Sequence, residues 1–416
     1  MRLSELFTHT SKNVPADETA KNAQLLIQAG FIHKEMAGVY TYLPLGLAVL
    51  NNIVQIIREE MNTIGGNEVS MSTLQPKDKW EVSGRWDEKV VDIWFKTKLA
   101  NGSELGLAFT HEEPLTALMK NFISSYKDLP VYPYQFQVKF RNEQRSKSGL
   151  MRGREFLMKD LYSFSRNAAE HEAFYEKATE AYYRIFERLG IGDSTYKTFA
   201  SGGSFAKYSH EFQTLSPMGE DKIYVHEGKK LAINAEVYND EVLENLGIIK
   251  DELSEKTAVE VGNIFTLGTK YSDALKLTYA DEDGSQKAVF MGSYGIGPSR
   301  LMGLIAEHFA DDKGLVWPEA VAPAKVYIAR LGNAPEVVKA ADELYDQLTS
   351  KSIAVLYDDR DTRPGEKFAD ADLIGIPYRV VISDKTVLAN TYEMKKRSEP
   401  EAQFVFSDDL LKTLGV

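Results

Sequence analysis

Residues 316 to 324, VWPEAVAPA, separate two stretches of chain that follow different patterns, and no single layered fold satisfies both. Beyond them the segments AKVYIARLG, SIAVLYDD and PYRVVIS read as strands. PEVVKAADELYDQLTSK and FADADLIGI lie between them as helices. This βαβαβ alternation calls for a mostly parallel sheet, because parallel neighbours need a crossover between them. Before the break the runs VVDIWFKT, LGLAFT, YPYQFQVKF, EFLMKDLYSF, DKIYV, EVGNIF, LKLTYA and KAVFMG are short and β-like. The helices there are grouped: residues 17–28, residues 47–61 with apolar positions every three or four, and residues 168–190. That grammar predicts an α+β domain on an antiparallel sheet. A boundary near residue 322 gives a domain of residues 1–322 and a smaller α/β domain of residues 323–416. The total of 416 residues is more than one core usually serves.

The composition excludes several chemistries. There is no cysteine, so disulfides, thiolate nucleophiles and cysteine-ligated zinc are ruled out. No apolar run reaches the length of a membrane span, and the first residues, MRLSELFTHTSKNV, lack a signal-peptide core, so a cytoplasmic protein is expected. The formal net charge is -12. Against that background FRNEQRSKSGLMRGREF, residues 140–156, carries five basic residues and two acidic ones. Arginine's planar fork suits phosphate, a carboxylate such as Glu143 can accept from an exocyclic amine, and the ring of Phe156 can stack on a base. The competing reading is a solvated hairpin with surface ion pairs, in which Glu155 pairs with a neighbouring arginine.

Other patterns fall short of a site. GSYGIG spaces its glycines as G-x-x-G-x-G, not as a dinucleotide fingerprint. The His-Glu pairs at His111, His171, His210 and His226 never continue to His-Glu-x-x-His, so no zincin is expected. His171 reads as a surface or boundary residue of its helix. Phe174, Tyr182, Tyr183 and Phe186 read as core.

FRNE, a loop and RGREFLMKDLYSF resemble motif 2 of the class II aminoacyl-tRNA synthetases. GVYTYLPLG, with Pro44, and its following helix resemble motif 1, the dimer motif. MGSYGIGPSRLMGLIAEH, with Arg300, resembles motif 3. THEEP, EVGNIFTLGTKYSDAL and DDRDTRPGEKFADADLIGIPYRVVI are similar to the bacterial-type prolyl-tRNA synthetases, so the likeness covers nearly the whole chain. It implies a class II catalytic domain over residues 1–322 and an anticodon-binding domain over residues 323–416. It also implies a homodimer that uses ATP, Mg2+, proline and tRNA(Pro).

In that family's chemistry Arg141 bridges the amino-acid carboxylate and the α-phosphate, and Glu143 reads the adenine amine. Arg152 and Arg300 hold the outer phosphates, with Arg300 and Phe156 clamping the base. Thr110 and Glu112 take the imino nitrogen, and His210 and Ser293 line the ring pocket. Ser293 and Asn263 stand where many relatives have cysteine and histidine. Lys207 and Tyr208 are candidates for a closing loop. Arg360, Arg363 and Lys367 are candidates for the anticodon, against a salt-bridged turn with Asp358, Asp359, Asp361 and Glu366. Only residues 226–257 are left over where many relatives carry an editing domain, so no editing in cis is expected. Two alternatives remain: a non-catalytic tRNA-binding or regulatory paralogue, which would be expected to have lost some of Arg141, Glu143, Phe156 and Arg300, and a class II synthetase for another amino acid such as threonine, glycine or histidine, of which the absence of cysteine disfavours the zinc-dependent threonine type while THEEP favours proline.

Overall fold

The computed structural model describes residues 1–144, 146, 148–202 and 208–416, with Tyr208 described by its backbone alone. The chain forms two compact units, one of residues 37–39 and 54–301, the other of residues 1–36, 40–53 and 302–416.

The first unit is built on a nine-stranded sheet. Its order is Tyr208–Leu215, Thr195–Ser201, Leu231–Asn234, Asp221–His226, Ser254–Gly268, Phe290–Ile296, Glu155–Ser165, Pro133–Phe140, Asn67–Glu68. Neighbours are antiparallel except Leu231–Asn234 against Thr195–Ser201 and Asn67–Glu68 against Pro133–Phe140. Tyr208–Leu215 also pairs with Ser254–Gly268, so five strands close a circuit of pairings. The expected antiparallel α+β core is therefore present.

The helix Ala168–Arg188 covers one face of this sheet. The Asn167 side chain accepts from the Glu170 N–H and caps its first turn. Phe174, Tyr175, Ala178, Ala181, Tyr182, Ile185 and Phe186 recur every three or four residues and are buried. Gly190, at φ 82, provides the left-handed turn that follows. Each large side chain so buried contributes ~1.5–3 kcal/mol. His171 is more buried than the surface or boundary residue expected from the helical pattern. It is buried, with Nε2 3.0 Å from Thr266 Oγ1, and burial takes its pKa down to about 4.

VVDIWFKT is not one strand; only Lys96–Lys98 pairs. Trp94 instead packs against Trp80, Trp86 and Phe109, and its indole N–H donates to the Leu107 carbonyl at 2.7 Å. Aromatic packing has displaced the ladder that β propensity alone predicts.

Residues 226–257 are built into the sheet. They supply the strand Leu231–Asn234 and the helix Asp240–Leu246. Ile233, Val237, Val242, Leu243 and Ile248 form a small core there, joined by Phe199 and Leu253.

In the second unit a five-stranded sheet runs Val355–Asp358, Val326–Leu331, Tyr378–Ser383, Tyr392–Lys396, Gln403–Val405. The first three are parallel and the last two antiparallel. Val337, Ala341, Leu344 and Leu348 from the helix Pro335–Ser350, with Leu410 and Leu414, bury Val326, Ile328 and Val380. The helices Lys21–Gln28 and Pro44–Thr63 form near their expected places. A Cβ on Gly46 would lie 2.0 Å from the Phe31 carbonyl oxygen, so that turn needs glycine. No helix among the described residues is long and apolar enough to cross a membrane.

Candidate active site

Strand alternation decides which side chains share the sheet face left open by the helix. Phe156, Met158, Asp160 and Tyr162 alternate along Glu155–Ser165. Tyr162 pairs with Ser293, which pairs with Phe265, and Asp160 pairs with Gly295, which pairs with Asn263. A cavity of about 280 Å3 opens on this face, lined among others by Arg141, Glu143, Phe156, Glu260, Asn263 and Arg300. Arg152, Met158, Glu220 and Gly295 complete much of its wall. The five residues named from the sequence for nucleotide chemistry, Arg141, Glu143, Arg152, Phe156 and Arg300, therefore reach one hollow.

Their electrostatic states differ. Arg300 is tied down: Nη1 donates to the Glu260 carbonyl at 2.6 Å and its carboxylate at 2.9 Å, and Nε donates to the Met151 carbonyl at 2.9 Å. Arg152 joins two carboxylates, Glu143 at 3.0 Å and Glu220 at 2.8 Å. Arg152 is 46% exposed, and pairs of that kind contribute only ~0–1 kcal/mol, so this one yields readily to a ligand. Arg141 has no such partner. Its Nε is sealed from water without a hydrogen bond, and Nη2 lies 3.5 Å from the Phe109 carbonyl, a weak contact. Its guanidinium carbon stands 5.3 Å from the centre of the Phe156 ring. Burial and the neighbouring Arg300 push its pKa down, while Glu260, Glu143 and Glu112 oppose them. Among the described residues it makes no ion pair. A half-buried cation without an ion-pair partner loses part of its hydration, and an incoming anion relieves that cost.

Thr110 and Glu112 meet as expected. Thr110 Oγ1 donates to the Glu112 carboxylate at 2.7 Å, and Tyr162 OH donates to it at 3.1 Å. Tyr162 is also the cross-strand neighbour of Ser293, so both ends of the expected imino-acid pocket share one face. His111, between Thr110 and Glu112, is held from below. Its Nδ1 accepts from Lys139 Nζ at 2.6 Å, and Lys139 donates to Asp160 at 3.0 Å. Burial and Lys139 bring the His111 pKa to about 4, so it is a neutral acceptor.

His210 is not brought to this group. It pairs with Ile264, which pairs with Tyr294, and so lies on the helix-covered face. There its Nδ1 is 2.7 Å from Tyr175 OH, and burial and Lys197 lower its pKa to about 4. Alternation within SHEF is the reason: Ser209 and Glu211 face one way, and His210 the other. Lys207 lies outside the described residues, as does the side chain of Tyr208. Glu155 is exposed and makes no ion pair among the described residues.

Sequence reasoning missed Arg85, Glu220 and Glu260. Glu260 accepts from Arg300 and from Asn263 Nδ2 at 2.9 Å; burial works against its charge, but Arg300 and those bonds hold its pKa below the usual value. Glu211 beside it is raised to about 8 by burial and by repulsion from Glu260. Among the described residues no three His, Asp or Glu side chains gather as metal ligands.

In the second unit Arg360 donates to Asp358 and Asp370 at 2.7 Å. Lys367 is buried and donates to the Asp358 carbonyl at 3.0 Å. These two match the salt-bridged turn that competed with anticodon contact. Arg363 is exposed and makes no ion pair among the described residues.

Comparison with known proteins adds the following. A tRNA synthetase class II core domain family (G, H, P, S and T) matches residues 95–309, and an anticodon binding domain family matches residues 325–415. A proline–tRNA ligase of Rhizorhabdus wittichii is 39% identical over the whole of both chains. One of Zymomonas mobilis is 40% identical over 100% of this chain and 98% of its own. One of Anaplasma phagocytophilum is 38% identical over the whole of both. A crystal structure of prolyl-tRNA synthetase from Cryptosporidium parvum, complexed with L-proline and AMP, is similar in fold, with TM-score 0.77 and 17% identity over 95% of this chain and 74% of that one.

Proposed function

Because the chain belongs to the proline–tRNA ligase family and carries its class II core, we propose that it activates proline with ATP and charges tRNA(Pro). The observation that carries this reading at the residue level is Arg141, a half-buried arginine whose Nε is sealed without a hydrogen bond and which makes no ion pair among the described residues, beside the Phe156 ring in a cavity that Arg300 also lines. That group waits for an anion.

In the first step the proline carboxylate attacks the α-phosphorus, the bond to the pyrophosphate oxygen breaks, and prolyl-adenylate forms. In the second the terminal ribose hydroxyl of tRNA attacks the adenylate carbonyl and AMP leaves. Neither step needs a protein nucleophile; positioning and charge stabilisation suffice. Arg141 engages the proline carboxylate and the α-phosphate, holding the reacting atoms together. Phe156 and Arg300 sandwich the adenine, and Glu143 accepts from its amine. Arg152 and Arg300 take the outer phosphates. Opening the Glu143–Arg152 pair, of which Arg152 is the exposed partner, frees both for these roles. Glu112 and Thr110 hold the imino nitrogen, and Ser293 lines the ring side.

Mg2+ takes one or two carboxylates beside phosphate oxygens and keeps several waters, so it needs no three-ligand cluster. Glu260, whose side chain lines the cavity at 27% exposure, would be one of the carboxylates to hold it, in exchange for part of its bonding to Arg300. Such an ion would supply neutralisation of charge on the phosphates.

Residues 323–416 form the anticodon-binding domain in this reading, with Arg363 the one of the three candidates that makes no ion pair among the described residues. Arg363→Ala is expected to raise the tRNA KM about threefold to tenfold, as loss of a phosphate contact does, and to leave pyrophosphate exchange unchanged. An unchanged tRNA KM removes Arg363 from the interface. Exposed Met36 and Leu47, flanking the motif 1 proline, support a homodimer. Incorporation of residues 226–257 into the sheet supports the absence of editing in cis. Amino-acid-dependent ATP–pyrophosphate exchange across the twenty amino acids tests the whole reading: proline alone should support rapid exchange, and exchange with none of them would refute it.

A further inference from the structure

The cation nearest the imino-acid hook is one the expected chemistry never uses. Arg85 is 6% exposed, and Glu112 and Glu113 are 2% and 0% exposed. A single nitrogen of Arg85, Nη1, lies 3.1 Å from Glu112 Oε2, 3.1 and 3.2 Å from the two Glu113 oxygens, and 3.0 Å from Tyr271 OH. Nη1 has two hydrogens, so these acceptors compete for it. The Trp80 and Phe109 rings lie 5.3 Å from the guanidinium carbon and keep the cluster dry. Glu113 also accepts from Ser83 Oγ at 2.6 Å.

We propose that Arg85 is a positioning residue that divides one positive charge between Glu112 and Glu113, fixing the Glu112 carboxylate while Glu113 controls how much of its charge remains for the substrate's imino nitrogen. This rests on Glu112 being the imino-acid hook. Proline's secondary ammonium and Arg85 are rivals for the same carboxylate. When Glu113 is anionic it satisfies Arg85, and Glu112 is left to attract the substrate. When Glu113 is neutral, Arg85 is balanced by Glu112 alone, and the substrate meets a neutralised site.

Glu113 is placed to change state near neutrality. Burial raises its pKa to about 7, with Arg85 lowering it and Glu112 raising it. Arg85 and Ser83 follow the helix Lys77–Glu81, and Tyr271 comes from the helix Lys270–Leu275. The other charged groups on those two helices, Lys77, Asp78, Lys79, Glu81, Lys270 and Asp273, are exposed or half-buried at the surface. The sign follows: the proline KM falls as pH rises through about 7.

The test is the pH profile of the proline KM, from pyrophosphate exchange, between about pH 6 and about pH 8.5 for wild type, Glu113→Gln and Glu112→Gln. Wild type should show a fall of about fivefold, and Glu113→Gln should stay flat at the low-pH value, with the ATP KM unchanged in both. The glutamine preserves shape and an acceptor for Ser83, so folding is not at issue. An unaltered profile in Glu113→Gln, with Glu112→Gln raising the proline KM, overturns the role of Arg85 and Glu113 alone. A proline KM unaffected by Glu112→Gln overturns the hook itself. Arg85→Lys supplies the positive control: it keeps the charge and loses the fork, so it should raise the proline KM at every pH while preserving the slope. A lost slope in that variant would contradict charge sharing.

Discussion

Arg141→Met abolishes proline-dependent pyrophosphate exchange, by about 10³-fold or more, while thermal stability stays the same or rises. The two halves of this result have one cause. Arg141 sits with Nε buried and unbonded and with no carboxylate paired to it among the described residues. Burial and Arg300 both press against its charge. In the free protein it therefore costs stability. Methionine keeps most of the apolar stem against Phe156 and removes the charge. A residue whose loss leaves the fold intact and removes the chemistry is one retained for its ligand. A fall in the thermal midpoint with exchange retained would contradict both halves. Thermal unfolding followed by circular dichroism, beside the exchange assay, separates them.

Glu112→Gln raises the proline KM by about 10²- to 10³-fold and leaves the ATP KM unchanged. The Glu112 carboxylate accepts from Thr110, Tyr162 and Arg85 and is almost wholly buried. Proline brings a cationic secondary amine. A buried charge pair that loses one charge forfeits ~2–4 kcal/mol, most of it from leaving the other charge unmatched. The glutamine can still accept from Thr110 and Tyr162, so the loop keeps its shape. In the proposed site ATP lies at the opposite end, against Phe156 and Arg300, and should not sense the change. Exchange kinetics with each substrate varied in turn measure the split. Equal rises in both constants would mean a collapsed loop, not a lost hook.

The site was legible in the sequence where chemistry and local period coincide. Alternation through EFLMKDLYSF places Phe156 and Tyr162 on one face, and the register of Phe290–Ile296 brings Ser293 beside Tyr162. The same alternation, applied to SHEF, would have turned His210 away from that face toward Tyr175. What stayed hidden depends on contacts distant along the chain. Glu220 reaches Arg152 across 68 positions, and Arg300 reaches Glu260 across 40. Arg85 lies in a loop with no periodicity of its own, and only the packing of Trp80 and Phe109 shows that it is buried. VVDIWFKT reads as a strand because its residues favour one, yet a tryptophan cluster claims it. In the second unit, composition could not tell an exposed arginine from a paired one; Arg363 is the first, and half-buried Arg360, paired with buried Asp358, is the second.

A crystal structure with proline and a non-hydrolysable ATP analogue bound together tests the central claim most directly. The guanidinium of Arg141 should stand ~2.7–3.0 Å from oxygens of both the proline carboxylate and the α-phosphate, with the adenine between Phe156 and Arg300. Nucleotide bound elsewhere, or an Arg141 that still touches neither anion, would contradict it.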